Sequence, residues 1–536
     1  MGTGELIVRA LRQAGVRNLF TLNGGHIWGI LMAARDSDLN LIDVRNEQTA
    51  AFAAEGWSKL TRNCGACAVT AGPGVTNTLS AIGNAFGSDT PLLVLGGRSP
   101  IATAGMGSLQ EIDHLPLVSS ITKYSRTARS AQEADSFVRE GLASSLMGRP
   151  GPVFVEVAFD AFFDSADPAS DAIAPDARAS FDPEEVTRAA ALIRKATRPC
   201  AVVGSGVWWA HAEAELVELV ELAGIPVVPS GLARGILPPN HPLQAARGRK
   251  TALAESDVVL AIGVPLDFRL GFGRPPVIDA EAKIVYIDFD AKRRHRPGAA
   301  AIDGDIKGAL KALCTSLEER RRNEKWLAVI AEAVTAGRKA DADIAASPAS
   351  PIHPARLIAE IAGRLDEDAI VIGDGGDFVS FAGRLVESNR LGTFLDPGPF
   401  GCLGTGAGYA MAARLAHPNR QVVLFSGDGA FGFSAMDFET LVRRRLPVVA
   451  VIGNNGIWAT EKHQMEAMLG TSVAADLRPG IRYDRMIEAL GGHGELVERP
   501  EQIGPAFERA LKSGVPAVIN VLTDPSATYP RSVAMI

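Results

Sequence analysis

Apolar residues recur along this chain in two alternating rhythms. Residues 4–14 place Leu6, Ile7, Ala10 and Leu11 on one side of a helix, and 18–22 follows as a short strand. Further strand-length segments are read at 67–70, 91–95, 200–204 and 283–288, with helical patterns between, among them 50–60 and 210–223. The runs at 369–372, 421–425 and 448–452 are almost continuously apolar, as expected of strands buried on both faces of a parallel sheet. Strand alternating with helix predicts an α/β chain of doubly wound parallel-sheet domains. Two stretches, 165–183 and 336–354, are rich in Ala, Asp, Ser and Pro and lack apolar periodicity, so they read as linkers. They divide the chain into 1–165, 183–335 and 354–536.

The length, 536 residues, exceeds a single hydrophobic core, which agrees with three domains. A formal charge of -7 without a basic cluster argues against nucleic acid as a partner. The longest apolar runs, 257–264 and 446–452, are strand length, so no membrane span is expected, and the first residues lack the pattern of an export signal. Five cysteines, an odd and small number, fit a reducing compartment, and the cytoplasm is the expected location. Cys64 and Cys67 have the spacing of a redox or metal pair, but no second pair or nearby His completes a zinc set, and two reduced thiols are expected.

In the middle piece the turn Gly204-Ser205-Gly206 feeds a helix, and Asp288 ends a later strand. That arrangement suits either a nucleotide or an ordinary helix–sheet turn, because the full dinucleotide-binding pattern is absent. The sharper signal is Gly427-Asp428-Gly429, set directly after the strand at 421–425, with Asn454-Asn455-Gly456 set directly after the strand at 448–452. Adjacent strands deliver the two motifs to the carboxyl edge of one sheet, where open α/β sheets bind ligands. A carboxylate, an amide oxygen and a backbone carbonyl are hard donors suited to Mg²⁺, which completes its shell with phosphate and water. The flanking glycines let backbone N–H groups approach a diphosphate.

With these motifs the chain resembles the thiamine-diphosphate-dependent enzymes. The resemblance implies pyrimidine-binding, central Rossmann-like and diphosphate-binding domains in that order. It implies Mg²⁺ on Asp428, the Asn455 side chain and the Ile457 carbonyl, and a diphosphate on Gly427, Gly429, Ala430 and the loop bearing Gly375, Gly376 and Asp377. Glu47 would meet the aminopyrimidine N1′ of thiamine diphosphate, with Gly72 of Gly72-Pro73-Gly74 lining that ring. Gly401 would face the amino group, and Leu403 would wedge the cofactor into its bent form. Taken alone, Glu47 in a first helical turn is ordinary dipole complementarity. A homodimer or homotetramer is implied, because in this family the Glu and the Gly-Asp-Gly motif meet across a subunit interface.

Within the family the chain is similar to the acetolactate synthase-like and 2-hydroxyacyl-CoA lyase branch, and to benzaldehyde lyase and oxalyl-CoA decarboxylase. Residues 430–436 and 455–458 carry that likeness, as do Gly24-Gly25-His26-Ile27 and Asp267-Phe268-Arg269-Leu270. Acetolactate synthases usually carry Gln-Trp-Gln just after Asn-Asn, and here Glu461-Lys462-His463-Gln464 stands instead. The expected activity is therefore cleavage of a 2-hydroxyacyl-CoA to formyl-CoA and an aldehyde or ketone, or the reverse condensation. Decarboxylating condensation of 2-keto acids is the alternative. His26 is expected as proton donor or acceptor at the reacting carbon and Gln110 as partner to a substrate oxygen. The resemblance allows ADP, CoA or FAD in the central domain, or no nucleotide, and the sequence does not choose among them.

Overall fold

The computed structural model describes residues 1–169, 180–290, 294–317 and 323–530. Three sheets, parallel throughout the recorded pairings, follow one another along the chain. The first contains β1 (Asn18–Thr21), β2 (Asn40–Asp43), β3 (Gly65–Val69), β4 (Leu92–Arg98), β5 (Tyr124–Ala128) and β6 (Pro152–Ala158), in the order 2-1-3-4-6-5. The second contains β7 (Pro199–Val203), β8 (Val227–Pro229), β9 (Val258–Ile262), β10 (Lys283–Asp288) and β11 (Ala300–Asp303), in the order 11-10-9-7-8. The third contains β12 (Ile370–Asp374), β13 (Phe394–Leu395), β14 (Val422–Gly427), β15 (Val449–Asn454), β16 (His493–Val497) and β17 (Ala517–Leu522), in the order 13-12-14-15-17-16. Each order reverses near a central strand, and such switch points open crevices at the carboxyl ends of strands.

The chain forms two compact units. One comprises Met1–Asp176, Ile370–Val379 and Leu395–Pro525, and so joins the first and third sheets; the other comprises Ala177–Ala369, Ser380–Phe394 and Ser526–Ile536. Buried side chains from both faces of each sheet explain the apolar runs. Ala66, Ala68, Leu93, Leu95, Val153 and Val155 form one core beneath the first sheet, with Leu11 and Ile30 from the covering helices. Each fully buried Val, Leu or Ile side chain among them contributes about 1.5–3 kcal/mol through removal from water.

Inside the first unit, the helices Glu47–Thr61 and Gly406–Ala416 approach at backbone distance. A Cβ on Gly408 would lie 2.9 Å from the Ala53 nitrogen, so only glycine fits there. Their contact encloses a polar cluster in which Lys59 pairs with Glu55 at 2.9 Å and donates to the Tyr409 hydroxyl at 2.7 Å. Asn84 donates to both Glu55 oxygens. Burial beside Glu55 raises the Tyr409 phenol well above its ordinary value, which keeps its hydrogen available to the network. A charge pair this deep is tolerated because every charged group in it has a partner.

Sequence and structure part in the second expected linker. Residues 324–345 form a helix, Glu324–Ala345, whose buried contacts are few: Trp326, Ile330 and Asp341. So sparse a buried face produces little hydrophobic periodicity, and the Ala- and Asp-rich composition looked like a connector. The first expected linker lies largely outside the described residues. The helix read at 210–223 is two pieces, Ser205–Ala210 and Glu213–Ala223, parted at His211, whose φ of 52° is left-handed. At the Gly204-Ser205-Gly206 turn, a Cβ on Gly204 or Gly206 would fall within 2.6 Å of Gly263, so close packing against the end of β9 accounts for both glycines. All five cysteines are free; Cys64 and Cys67 are fully buried, and burial pushes the Cys64 thiol up to about 11. Among the described residues no helix is long and apolar enough to cross a membrane.

Candidate active site

Glu47 opens the helix Glu47–Thr61, whose N-cap Asn46 accepts from the Gln48 amide. The Glu47 side chain is buried and accepts from Asn77 Nδ2 at 2.9 Å, on the neighbouring helix Pro73–Gly87. Asp437 holds the chain on either side of it: the Arg45 backbone N–H donates to one carboxylate oxygen at 2.8 Å and the Thr49 side-chain hydroxyl to the other at 2.7 Å. Burial raises the Asp437 carboxyl, against the pull of those two donors. Sequence reasoning missed Asp437, and nothing local marks it, because its partners lie almost four hundred residues away.

A second group surrounds the turn at Gly72, which caps the helix Pro73–Gly87 with φ 59° and ψ -112°, a conformation open to glycine. Gln110 lies against it, so close that a Gly72 Cβ would stand 2.9 Å from Gln110 Cβ. The Thr70 hydroxyl donates to Gln110 Oε1 at 3.1 Å and lies 3.2 Å from His26 Nδ1. A hydroxyl has one hydrogen, so Thr70 accepts from His26, whose proton then sits on Nδ1 and leaves Nε2 as a lone pair. Burial lowers the His26 imidazole below its ordinary value, and a hydrogen bond with Gln110 opposes this. The structure thus brings His26 and Gln110 together through Thr70, a residue that sequence reasoning passed over.

The third group stands on the third sheet. Gly427 and Gly453 are register partners at the ends of β14 and β15, so the chain leaves two adjacent strands side by side. Asp428, buried in the first turn after β14, accepts from Gly429 N–H at 2.9 Å and from Gly456 N–H at 2.8 Å, tying the two motifs together. Burial pushes its carboxyl up to about 6 against those two amides. Asn455 Oδ1 accepts from Ile457 N–H at 3.1 Å, which draws the side chain into the same turn. A buried carboxylate served only by amide donors, beside an amide oxygen and a backbone carbonyl, is a donor set that fits Mg²⁺. Among the described residues no cluster of three or more His, Cys, Asp or Glu forms a metal site, and this donor set needs only one such residue.

Space around these residues fits a diphosphate. A Cβ on Gly427 or on Gly401 would meet nothing within 4 Å, so protein packing does not require glycine there and room is left beside the backbone. Gly429 differs: a Cβ would collide with the Trp458 ring at 2.4 Å, which gives Trp458 a packing role. Gly375, with φ 107°, follows β12, and Gly376 abuts Thr460, whose hydroxyl donates to Asp377 at 3.2 Å. Asp374 itself is engaged elsewhere: its two oxygens accept from the Gly404 and Gly406 amides at 3.1 and 2.9 Å, and burial pushes it up to about 6. It staples the loop bearing Gly401 and Leu403 to the end of β12. Leu403 and Ala430 are half-buried and buried, respectively. His463 Nε2 contacts the Pro525 carbonyl at 2.9 Å, with Nδ1 3.8 Å from Asp377.

Comparison with known proteins places the chain by its domains. The thiamine pyrophosphate enzyme N-terminal TPP binding domain matches residues 1–117, the central domain 186–313 and the C-terminal TPP binding domain 374–521. Relatives extend over nearly the whole chain. A probable acetolactate synthase of Mycobacterium bovis and the acetolactate synthase large subunit IlvG of Mycobacterium tuberculosis are each 49% identical, covering 99% of this chain and 97% of their own. Human 2-hydroxyacyl-CoA lyase 2 is 32% identical over 97% of this chain and 89% of its own. Three matched domains in order, and relatives alike from end to end, make this chain a member of the thiamine pyrophosphate enzyme family.

Proposed function

We propose that this enzyme cleaves or forms a carbon–carbon bond next to a carbonyl, with 2-hydroxyacyl-CoA as the substrate class and formyl-CoA plus an aldehyde or ketone as products. The observation that carries this reading is the His26–Thr70–Gln110 cluster. Decarboxylation releases CO₂ and leaves its electron pair on carbon, so that step needs no base, and the competing condensation calls on a proton donor only when the acceptor carbonyl is joined. Cleavage of a 2-hydroxyacyl group must remove the hydroxyl proton as the C1–C2 bond breaks, and the formyl carbon must gain a proton. A neutral imidazole with a bare Nε2 is suited to take the first proton and return it. Gln110 has an amide group to hold the substrate oxygen in line.

In this reading thiamine diphosphate supplies the nucleophilic carbon and Mg²⁺ anchors its diphosphate. Asp428, Asn455 and the Ile457 carbonyl hold the metal, while Gly427, Gly429, Ala430, Gly375, Gly376 and Asp377 receive the diphosphate. Glu47 would share a proton with the aminopyrimidine, Gly72 would line that ring, and Gly401 and Leu403 would contact the cofactor from their loop. Two copies of the chain complete each site, as a homodimer or homotetramer. In the central domain, three arginines support a nucleotide such as ADP, CoA or FAD. Arg249, which is exposed, lies near Arg234 and Arg269, a like-charge grouping that Asp267 balances in part through Arg269 and that an anionic phosphate would relieve further. A second reading, decarboxylating condensation of 2-keto acids, is favoured by the names of the two Mycobacterium relatives.

The test offers the protein, with thiamine diphosphate and Mg²⁺, pyruvate in one reaction and 2-hydroxyisobutyryl-CoA in another, and follows acetolactate and formyl-CoA by mass spectrometry. Formyl-CoA alone is the expected result; acetolactate alone overturns the lyase reading. In the cleavage direction kcat/KM should lose activity on the acid side with a midpoint below 6.5, since the base must be unprotonated. His26→Asn should remove that limb and lower kcat by about 10²-fold. An unchanged acid limb in the variant would take the proton-transfer role away from His26.

A further inference from the structure

The Gly72 turn is held by a pair of buried side chains to which the proposed reaction gives no role. His114 is fully buried and lies between two partners. Gly72 N–H donates to its Nε2 at 2.9 Å, and an amide can only donate, so this nitrogen carries no hydrogen. Nδ1 therefore carries it and donates to Glu156 Oε2 at 2.5 Å. Glu156 is fully buried on β6. Its other oxygen accepts from the Thr127 hydroxyl, on β5, at 2.5 Å and from the Arg98 guanidinium, at the end of β4. Burial would push this carboxyl up, but His114, Thr127 and Arg98 outweigh it and hold it below the usual range. Three adjacent strands thus brace one imidazole against one backbone amide.

That amide belongs to a turn that needs bracing. Gly72 has backbone angles that other residues avoid, and Gln110, pressed against it, is itself left-handed with φ 60°. A shift at Gly72 would carry Gln110 with it, and through Thr70 would disturb His26. We propose that Glu156 and His114 form a positioning pair that holds the Gly72 turn and the Gln110 loop in register with the cofactor's pyrimidine ring and the reacting carbon. Glu156 fixes the imidazole tautomer, and the tautomer supplies the acceptor for Gly72. The inference rests on the reading that Glu47 and Gly72 receive the aminopyrimidine.

The test uses holoenzyme with thiamine diphosphate and Mg²⁺ and reads the exchange rate of the cofactor's C2 proton by quenched-flow NMR, which needs no substrate. His114→Asn keeps an amide near Nδ1 for Glu156 but cannot reach Gly72, whereas His114→Gln can offer an acceptor there. Exchange should fall by about 10–100-fold in His114→Asn, the scale of a misplacement near 1 Å, and return to within about threefold of wild type in His114→Gln. Cofactor affinity and thermal midpoint should differ little between the two. Equal rates in the two variants overturn the proposal. Should His114→Asn fail to fold, Glu156→Gln decides: its amide can turn to donate to Nδ1, move the imidazole proton to Nε2 and evict the Gly72 N–H. A drop of roughly tenfold is then expected by analogy with tautomer loss in a catalytic triad, and an unchanged rate overturns the proposal. If the wild-type protein does not accelerate C2 exchange at all, the reading of Glu47 and Gly72 fails instead.

Discussion

Glu47→Gln should leave thiamine diphosphate bound while slowing C2-proton exchange, and with it turnover on any substrate, by about 10²–10³-fold. Glu47 begins a helix, its carboxylate is buried, and Asn77 holds one oxygen at 2.9 Å. Gln keeps the volume and can still accept from Asn77, so the pocket should survive. What it cannot do is share a proton with the pyrimidine nitrogen, because an amide has no ionisable hydrogen to give. The measurements are cofactor affinity by fluorescence titration and exchange by NMR on the same samples. Normal exchange with the cofactor bound would remove Glu47 from the chemistry; loss of binding together with exchange would make it a packing residue. Asp437 supplies an internal contrast. It holds the Arg45 and Thr49 flanks of Glu47 and contributes nothing to the proton itself, so its loss should act through geometry.

How much of this was legible in the sequence depended on whether the signal was local. The strand read at 283–288 is β10 residue for residue, and those at 421–425 and 448–452 each begin one residue before β14 and β15 and stop two residues short of their ends. Long buried strands print their burial directly into composition. The helix Glu324–Ala345 did not, because it buries little, and an Ala-rich surface helix shares its composition with a linker. The candidate site divides in the same way. Gly-Asp-Gly and Asn-Asn were found because each directly follows a strand-length apolar run, and two such motifs spaced to meet at one sheet edge say more than a lone turn would. Thr70, His114, Glu156 and Asp437 were not, since each is an ordinary residue that acquires meaning only from a partner brought close by the fold. Asp374 is a different case: it opens the loop 374–377 that the resemblance assigns to the diphosphate, yet its two oxygens accept from Gly404 and Gly406.

Removal of the Asp428 carboxylate should have the largest effect on binding. Asp428→Ala is expected to weaken Mg²⁺-dependent retention of thiamine diphosphate by at least about 100-fold, since loss even of a group supporting a metal ligand costs about 10–100-fold. The expectation follows from the charge balance of the site. Burial has already pushed this carboxyl up to about 6, so the protein pays to keep it ionised near neutral pH, and two backbone amides do not fully compensate. A divalent cation would compensate it, and the cation would in turn need the diphosphate to complete its shell. Asp428→Asn separates charge from shape: it can still accept from the Gly456 amide and should keep the turn, while losing most of the metal affinity. Isothermal titration with thiamine diphosphate, with and without Mg²⁺, reads both variants. If Asp428→Asn binds like wild type, the carboxylate serves the turn between β14 and β15 and the metal lies elsewhere; if both variants lose the Mg²⁺-dependent part alone, the buried charge is there for the metal.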